Sequence, residues 1–164
     1  MSEAAVYLGL GSNVGDRAAN LRAAAAALSA AGVEIVARAS LYETAPQGEV
    51  TDQPDFLNSA LKVRTALAPL ELLDLCKRIE NELGRESGGV RHGPRLIDID
   101  VLLVGDLVHG DEPLSLPHRE IATRHFVLAP LLELDPDLTL PDGTLADSLL
   151  AAVMGQPVER AGEF

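Results

Sequence analysis

Cysteine and aromatic residues are scarce in this chain of 164 residues. Cys76 is the only cysteine, so no disulfide can form within the chain. A lone cysteine on the apolar face of a helix usually packs in a core, and we therefore expect Cys76 to be structural. Aromatic residues make up 3% of the sequence, and tryptophan is absent. Each Phe and Tyr is therefore a candidate for a specific role.

Basic residues and long apolar runs are also few. The chain has 13 Lys and Arg against 25 Asp and Glu, which gives a formal net charge of -12. This charge argues against general binding to nucleic acid or to anionic membranes, both of which need a broad basic surface. No apolar stretch approaches the roughly 20 residues that span a bilayer, and the start of the chain does not resemble a secretory signal. We expect a monomeric cytoplasmic protein.

The basic residues that are present cluster in one third of the chain. They are Lys77, Arg78, Arg85, Arg91, Arg95, Arg119 and Arg124, and all four His residues lie in the same third. A basic pocket in an acidic protein is typical of a site for a bound polyphosphate. The alternative is chance clustering on a solvated face.

Apolar periodicity and turn residues predict strands at Val6–Leu10, Val33–Tyr42, Phe56–Thr65, Leu96–Val104 and Leu107–His109. They predict helices at 16–31, 69–84, 124–133 and 145–153. The order β-α-β-β-α-β predicts an α+β fold, a ferredoxin-like sandwich with a mainly antiparallel sheet and helices packed on one of its faces. We expect one domain over residues 1–164, with a frayed tail from about residue 155.

Asp98 and Asp100 are the strongest local indication of chemistry. Residues i and i+2 of a strand point to the same side. The alternate residues should then face the core: Ile97, Ile99, Val101 and Leu103. Two adjacent carboxylates repel each other unless a cation lies between them, and Mg²⁺ is often held by one or two carboxylates plus substrate phosphates. The alternative is an ordinary solvent-facing strand edge.

Basic side chains precede this aspartate pair. Arg85, Arg91 and His92 lie in the loop that leads into the strand, and Arg95 lies three residues before Asp98. Carboxylates together with guanidinium groups fit phosphoryl transfer, in which metal ions bridge the phosphates and arginine stabilises the charge of the transition state. A surface cluster of salt bridges is the alternative.

The glycines near the start of the chain do not form a standard phosphate loop. Gly9 and Gly11 give G-x-G, but Val14 occupies the third position of a dinucleotide fingerprint, and no G-K-[ST] follows. We interpret Gly11-Ser12-Asn13 as a tight turn that brings backbone close to a partner or ligand.

Two isolated aromatic residues and an amide suggest a site for a heterocycle. Asn58 lies two residues after Phe56, on the same face of a predicted strand, and Phe126 lies far along the chain. An Asn amide can pair with the polar edge of a heterocycle while aromatic rings stack on its faces. The alternative for each Phe is an ordinary place in the core.

Six segments carry motifs, at Tyr7–Asn13, Leu41–Pro46, Asp52–Asn58, Arg91–Leu102, Leu116–His118 and Arg124–Leu128. The densest of them reads Arg-His-Gly-Pro-Arg-Leu-Ile-Asp-Ile-Asp-Val-Leu. In order and spacing, from about residue 5 to residue 145, they resemble the 6-hydroxymethyl-7,8-dihydropterin pyrophosphokinases. The resemblance implies a ferredoxin-like fold. It also implies transfer of the β,γ-diphosphate of ATP to the pterin hydroxymethyl group, with release of AMP, in folate biosynthesis.

The resemblance also implies roles for individual residues. It implies two Mg²⁺ ions bridged by Asp98 and Asp100, and a pterin ring between Phe56 and Phe126. The rest of the implied pterin site is Thr44, Gln47, Gly48 and Asn58. The residues implied around ATP are Glu80, Arg85, His92, Arg95, Ile99, His118 and Arg124, of which Arg85 and Arg95 would lie nearest the transferred group.

The chain departs from the family pattern at a few positions. His92 stands where the family often has Trp, and the segment 86–89 lacks basic residues that often follow the position of Arg85. Ala45 replaces a frequent Pro, and Phe56 replaces a frequent Tyr. Two other functions fit the same residues: a different two-metal nucleotidyl-transferring enzyme on a similar scaffold, and a nucleotide- or metal-sensing module without catalysis.

Overall fold

The computed structural model describes residues 5–45, 54–84, 96–110, 114–156 and 158–164. Its elements, in chain order, are β1 (Val6–Ser12), α1 (Arg17–Ala30), β2 (Glu34–Arg38), β3 (Leu41–Thr44), β4 (Phe56–Arg64), α2 (Pro69–Gly84), β5 (Asp98–Val104), α3 (His125–Leu134), α4 (Ala146–Val153) and β6 (Val158–Gly162). The strands form one sheet in the order β5-β1-β4-β3-β6, and β2 also pairs with β4. The paired strands run antiparallel, which confirms the predicted α+β sheet.

The first two helices follow the sequence signals closely. Asp16 caps α1, because its Oδ1 accepts a hydrogen bond of 3.1 Å from Ala19 N. Gly32, at a φ of +94°, follows the end of this helix, as expected for a left-handed residue that stops it. The apolar stripe of α2 is buried at Leu72, Leu75, Cys76 and Ile79. Cys76 is therefore a core residue, as predicted, and burial raises the pKa of its thiol to about 12.

Helices cover both faces of the sheet rather than the single face that we expected. Leu8 and Leu10 of β1 pack in one core cluster with residues of α1 and α2. Tyr7, the neighbour of Leu8 in β1, packs in a second cluster with Leu128 of α3 and residues of α4. Because the central strands carry buried side chains on both sides, each face requires its own cover.

Two strand predictions are corrected by local irregularities. The predicted strand Val33–Tyr42 is interrupted at residues 39 and 40, so β2 and β3 pair separately with β4. Leu103 was expected to face the same side as Ile99. The register of β5 shifts by one residue beside β1, and Leu103 therefore packs in the cluster of α3 and α4.

Two further segments differ from the expectation. The predicted strand at 107–109 makes only an isolated bridge, between His109 and Leu116. The tail that was expected to fray instead pairs as β6 with β3, and Arg160 of β6 donates a hydrogen bond of 2.9 Å to Ser40 Oγ. Polar contacts hold this mostly exposed strand, and apolar periodicity does not predict them. Across the described ranges, no helix is both long enough and apolar enough to cross a membrane.

Candidate active site

Two carboxylates of β5 share one side of the sheet with two glycines of β1. In the antiparallel register, Asp98 pairs with Gly11 and Asp100 pairs with Gly9. Ile99, between the two aspartates, is fully buried in the cluster of α1 and α2 on the opposite face. Strand alternation therefore directs both carboxylates to one side, as the sequence predicts, and this is the side that α3 covers.

The glycines leave this side of β1 without side chains. A Cβ at Gly11 would lie 2.8 Å from Asn58 Oδ1 and 3.6 Å from Phe56 Cδ1, and a Cβ at Gly9 would lie 3.2 Å from Leu102 Cδ1. Gly11 is thus part of β1 and not of the turn that we predicted. We call Gly9 and Gly11 the glycine strip. It separates the two aspartates from the polar and aromatic side chains of β4.

Asn58 lies on the other side of the glycine strip from Asp98. Asn58 belongs to β4 and pairs with Gly11 of β1, so Asp98, Gly11 and Asn58 form one row across three strands. Asn58 is 5% exposed, and its Nδ2 is the one buried side-chain nitrogen or oxygen of the described residues that has no hydrogen-bond partner. An unpaired buried donor typically costs about 1–3 kcal/mol, which a ligand acceptor would recover.

Phe56 and Thr44 lie beside Asn58 on the same face. Phe56 precedes Asn58 by two residues in β4 and is half-buried. Thr44 of β3 is buried and pairs with Phe56. Three of the predicted pterin residues therefore come together on one side of the sheet, next to the glycine strip.

Phe126 and Arg124 belong to the start of α3, which packs on β3 and β4. The guanidinium carbon of Arg124 lies 5.6 Å from the centroid of the Phe126 ring. Arg124 Nε lies 2.7 Å from Glu120 Oε2, so the guanidinium is held between a carboxylate and an aromatic face. The sequence predicted roles for Arg124 and Phe126, but not the part played by Glu120.

A carboxylate that sequence reasoning missed attaches α3 to β3. Glu133 Oε1 accepts a hydrogen bond of 2.6 Å from the Tyr42 hydroxyl, and its Oε2 accepts one of 2.8 Å from Ser40 Oγ. Ser40 N lies 3.0 Å from both carboxylate oxygens. Tyr42 pairs with Asn58, so this network borders the row described above. The sequence offered one indication of this contact, because Glu133 is the single acidic residue of a mostly apolar helix.

Glu80 of α2 reaches the outer edge of β5 between the two aspartates. Its Oε2 accepts a hydrogen bond of 2.7 Å from Ile99 N, and its Oε1 lies 3.4 Å from Lys77 Nζ. At this edge of the sheet Ile99 contributes only its main chain, because its side chain is buried in the core. Burial and the nearby Glu80 carboxylate raise the pKa of Asp100 from 3.8 to about 6. Since the Asp100 side chain is 51% exposed, a cation can still reach it from solvent.

His118 approaches Asp100 from the segment before α3. Its Nδ1 accepts a hydrogen bond of 3.1 Å from Glu120 N, so the proton of the neutral ring resides on Nε2. This Nε2 lies 4.0 Å from Asp100 Oδ1. Burial lowers the pKa of His118 below 6.5, although Glu120 opposes the shift. The neutral ring therefore offers an N–H donor beside the aspartates.

The donors present fit a magnesium site that is completed by substrate. Asp98 and Asp100 supply two hard oxygen ligands on one side of β5, the number that Mg²⁺ often takes from protein when phosphates supply others. Burial and the Glu80 carboxylate disfavour the charged form of Asp100, and a bound cation would favour it. In the part of the chain that the structure describes, no cluster of three or more His, Cys, Asp or Glu could hold a metal without such help.

Some predicted site residues lie outside the described residues. They are Gln47, Gly48, Arg85, His92 and Arg95.

Comparison with protein families and sequences gives a consistent result. Residues 7–136 match the family model described as 7,8-dihydro-6-hydroxymethylpterin-pyrophosphokinase (HPPK). A 2-amino-4-hydroxy-6-hydroxymethyldihydropteridine pyrophosphokinase of Methylorubrum extorquens is 49% identical over 144 residues, which are 87% of this chain and 90% of that protein. The mitochondrial folate synthesis bifunctional protein of Pisum sativum is 50% identical over 129 residues, which are 79% of this chain. This chain spans only 25% of the pea protein.

Solved structures share the fold. An HPPK-DHPS structure in complex with substrates aligns with a TM-score of 0.72 at 14% identity, over 93% of this chain and 43% of that one. Wild-type HPPK-DHPS of Plasmodium falciparum aligns with a TM-score of 0.68 at 16% identity, over 92% of this chain and 44% of that one. At these identities the similarity concerns the architecture alone.

Proposed function

This chain belongs to the 7,8-dihydro-6-hydroxymethylpterin-pyrophosphokinase family, and we propose that it transfers the pyrophosphoryl group of ATP to the hydroxymethyl oxygen of 6-hydroxymethyl-7,8-dihydropterin. It is an ATP-dependent pterin diphosphokinase of folate biosynthesis that releases AMP. The observation that carries the proposal is the row of Asp98, Gly11 and Asn58. One end of this row carries carboxylates suited to metal and phosphate, and the other end carries a buried amide donor without a partner.

The pterin binds at the β4 end of the row. Asn58 Nδ2 donates a hydrogen bond to an acceptor on the polar edge of the ring, and this contact removes the penalty of the unpaired amide. Phe56 and Phe126 stack on the two faces of the ring. The Thr44 hydroxyl adds a polar contact, and the family resemblance adds Gln47 and Gly48 to the pterin site.

The glycine strip sets the distance between the two substrates. Neighbouring strands lie about 4.8 Å apart, so β4 and β5, with β1 between them, are separated by about 10 Å. A bicyclic pterin held at Asn58 spans much of this distance and directs its hydroxymethyl arm toward Asp98 and Asp100. Side chains at residues 9 and 11 would fill the space that the ring requires.

ATP and its metal ions bind at the β5 end. Asp98 and Asp100 would hold two Mg²⁺ ions, which would neutralise phosphate charge and make the phosphorus easier to attack. Neutral His118 donates its Nε2–H to a phosphate oxygen, which a ring with its proton on Nδ1 could not do. Glu80 and the main chain of Ile99 line the nucleotide side of the edge.

Arg124 adds positive charge from the start of α3, and Arg85, Arg95 and His92 complete the ATP site. The family resemblance assigns Arg85 and Arg95 to the transferred group, where guanidinium groups stabilise the charge that develops on phosphate oxygens. Arg124 is already restrained by Glu120 and by the Phe126 ring, so less entropy is lost when it meets ATP.

The reaction is a direct displacement. The hydroxymethyl oxygen forms a bond to the β-phosphorus of ATP while the bond from that phosphorus to the oxygen shared with the α-phosphate breaks. The hydroxyl proton is lost, AMP leaves, and the pterin carries the diphosphate. Positioning and charge neutralisation supply the acceleration, so no covalent intermediate is needed. We assign no side chain as general base.

The decisive experiment measures nucleotide products with and without the pterin. ATP, Mg²⁺ and 6-hydroxymethyl-7,8-dihydropterin should give AMP and pterin diphosphate in equal amounts, with no AMP when the pterin is omitted. Release of inorganic pyrophosphate with a nucleotidylated product would favour a nucleotidyl-transferring enzyme instead. Binding of ATP without turnover at any enzyme concentration would favour a sensing module. EDTA should abolish AMP formation.

The proposal also covers the assembly and location of the enzyme. We propose a monomer with one domain that acts in the cytoplasm on ATP and the pterin, without nucleic acid or membrane. The formal net charge of -12 supports the exclusion of polyanionic partners. Light scattering at the concentrations used in the assay should give a mass near 17.3 kDa, whereas twice that mass would contradict the monomer.

A further inference from the structure

The side chain of Gln156 binds the peptide groups on both sides of Arg124. Its Nε2 donates a hydrogen bond of 2.9 Å to Thr123 O, and its Oε1 accepts one of 3.0 Å from His125 N. A carbonyl oxygen only accepts and a peptide N–H only donates, so a single orientation of the Gln156 amide satisfies both. Gln156 follows α4, more than thirty residues after the segment that it binds.

The backbone of Arg124 explains why one amide can make both contacts. Arg124 is extended, at φ -128° and ψ 115°. In an extended residue, the preceding carbonyl and the following N–H point to the same side of the chain, as they do at the edge of a β-strand. The Gln156 amide therefore substitutes for one unit of a neighbouring strand. A third contact, of 2.9 Å, joins His125 Nδ1 to Gln156 O, with the ring nitrogen as the donor.

These contacts replace the cap that α3 lacks. Arg124 is the N-cap residue of α3, and its side chain makes no capping hydrogen bond. The first N–H groups of a helix have no partners inside the helix and need an outside acceptor. Gln156 supplies one for His125. It thereby selects the extended conformation at Arg124, from which α3 begins.

Gln156 is itself firmly placed. Its backbone N donates a hydrogen bond of 3.0 Å to Val153 O at the end of α4. Val153 is 5% exposed and packs in the cluster that α3 and α4 share on the sheet. Gln156 is therefore attached to the core through Val153, next to the segment that carries Arg124 and Phe126.

We propose that Gln156 is a positioning residue for both substrates, holding Arg124 for ATP and Phe126 for the pterin by pinning the backbone between them. This inference rests on the proposed function, because it takes Arg124 and Phe126 to be substrate contacts. Gln156 itself touches neither substrate. Without it, the start of α3 samples other conformations, and binding must select the productive one.

We call the two hydrogen bonds from the Gln156 side chain to Thr123 O and His125 N the clamp. Two substitutions distinguish an effect of the clamp from an effect of simple packing. Gln156→Glu keeps the size and the acceptor for His125 N, but it places an oxygen against Thr123 O. Gln156→Ala removes both contacts. Calorimetry measures the dissociation constants for the pterin and for a non-hydrolysable ATP analogue with Mg²⁺. We expect both constants to rise about tenfold in Gln156→Ala. Gln156→Glu should give a similar rise if Gln156→Ala does not fold.

The matched control is Met154→Ala. Met154 lies two residues earlier as the C-cap residue of α4, and it is 59% exposed. Both dissociation constants should stay at their wild-type values in this variant. Amide exchange at His125, measured by NMR without ligands, should be faster in Gln156→Ala and unchanged in Met154→Ala.

Double-mutant cycles provide the test that a purely structural role would fail. In a Phe126→Ala background, Gln156→Ala should no longer weaken pterin binding, and in an Arg124→Ala background it should no longer weaken binding of the ATP analogue. Fully additive effects, or a lower melting temperature with unchanged affinities, would overturn the clamp. If the wild-type protein releases AMP with the pterin while Gln156→Ala binds both ligands normally, the clamp alone fails. If the wild type neither binds the pterin nor releases AMP, the proposed function fails and the clamp falls with it.

Discussion

Gly11 of β1 and Asn58 of β4 face each other across the sheet so closely that residue 11 has no room for a side chain. A Cβ at residue 11 would lie 2.8 Å from Asn58 Oδ1. The Asn58 amide therefore rests against bare backbone, with Phe56 beside it. Residue 11 is therefore glycine because a larger residue would displace the Asn58 amide.

The Gly11→Ala variant should weaken pterin binding more than ATP binding. The new methyl group displaces the Asn58 amide and so disturbs a buried hydrogen bond to the ligand, a loss of about 1–3 kcal/mol in binding free energy. Calorimetric titration with each ligand measures the two effects. Gly110→Ala is the control, since a Cβ at Gly110 meets nothing within 4 Å. Wild-type pterin affinity in a folded Gly11→Ala protein would contradict the assignment of this site.

The Asn58→Leu variant should keep its stability and lose pterin affinity. Leucine has a similar size and removes the buried nitrogen that has no partner, so the free energy of unfolding without ligand should stay the same or rise by about 1 kcal/mol. Thermal unfolding and calorimetric titration measure the two quantities. Ser59→Ala should behave in the opposite way. Its buried hydroxyl bonds Ser40 O at 2.9 Å on the other face of β4, so its loss should lower stability without changing pterin affinity.

A destabilised Asn58→Leu protein that still binds the pterin normally would identify Asn58 as a structural residue. A stable variant without pterin affinity would instead show that the unpaired Asn58 amide lowers stability and is needed for binding the ligand.

Local patterns in the sequence predicted the features that depend on near neighbours. The Asp16 cap, the Gly32 stop and the buried stripe of α2 follow from periodicities and residue preferences that act within a few positions. The shared side of Asp98 and Asp100 follows from strand alternation in the same way. The resemblance to a known family then related this pair to Phe56 and Asn58, which lie some 40 residues earlier.

Contacts between distant residues could not be predicted from such patterns. The Glu133 carboxylate meets Ser40 and Tyr42, more than 90 residues earlier, and no local preference encodes that pairing. The bulge that moves Leu103 to the other face depends on how β5 meets β1. The pairing of β6 depends on polar contacts such as that of Arg160 with Ser40, so a mostly exposed segment was expected to fray.

Removing one charge from the aspartate pair should abolish turnover and leave the fold intact. In Asp98→Asn or Asp100→Asn, the site loses a charged oxygen ligand, and activity should fall at least about 100-fold because metal-dependent charge stabilisation is lost. Product assays measure turnover, and titration with Mn²⁺ followed by electron paramagnetic resonance measures metal affinity. Asp106→Asn, in the exposed turn after β5, should change neither quantity. Near-normal turnover in folded Asp100→Asn would refute the metal assignment.

The Glu133 carboxylate should make stability depend on pH. Burial alone would raise its pKa, but hydrogen bonds from Tyr42 and Ser40 outweigh burial and lower the pKa below 4.5. A carboxylate with a lowered pKa in the folded state stabilises the protein above its unfolded pKa, and this contribution disappears as the pH falls through the folded value. The Tyr42 hydroxyl, whose pKa is raised to about 12 by burial and by Glu133, stays protonated throughout this range.

The Glu133→Gln variant should therefore be less stable than wild type at pH 7, and the difference should shrink as the pH falls below 4.5. The Gln amide can also turn its NH₂ group toward Ser40 N, where two donors would meet. Chemical denaturation at a series of pH values measures the free energy of unfolding of both proteins. Tyr42→Phe removes one of the donors to the carboxylate and should show the same trend with smaller amplitude. A difference that stays constant from pH 7 down to pH 3 would mean that the charge on Glu133 does not hold α3 against β3.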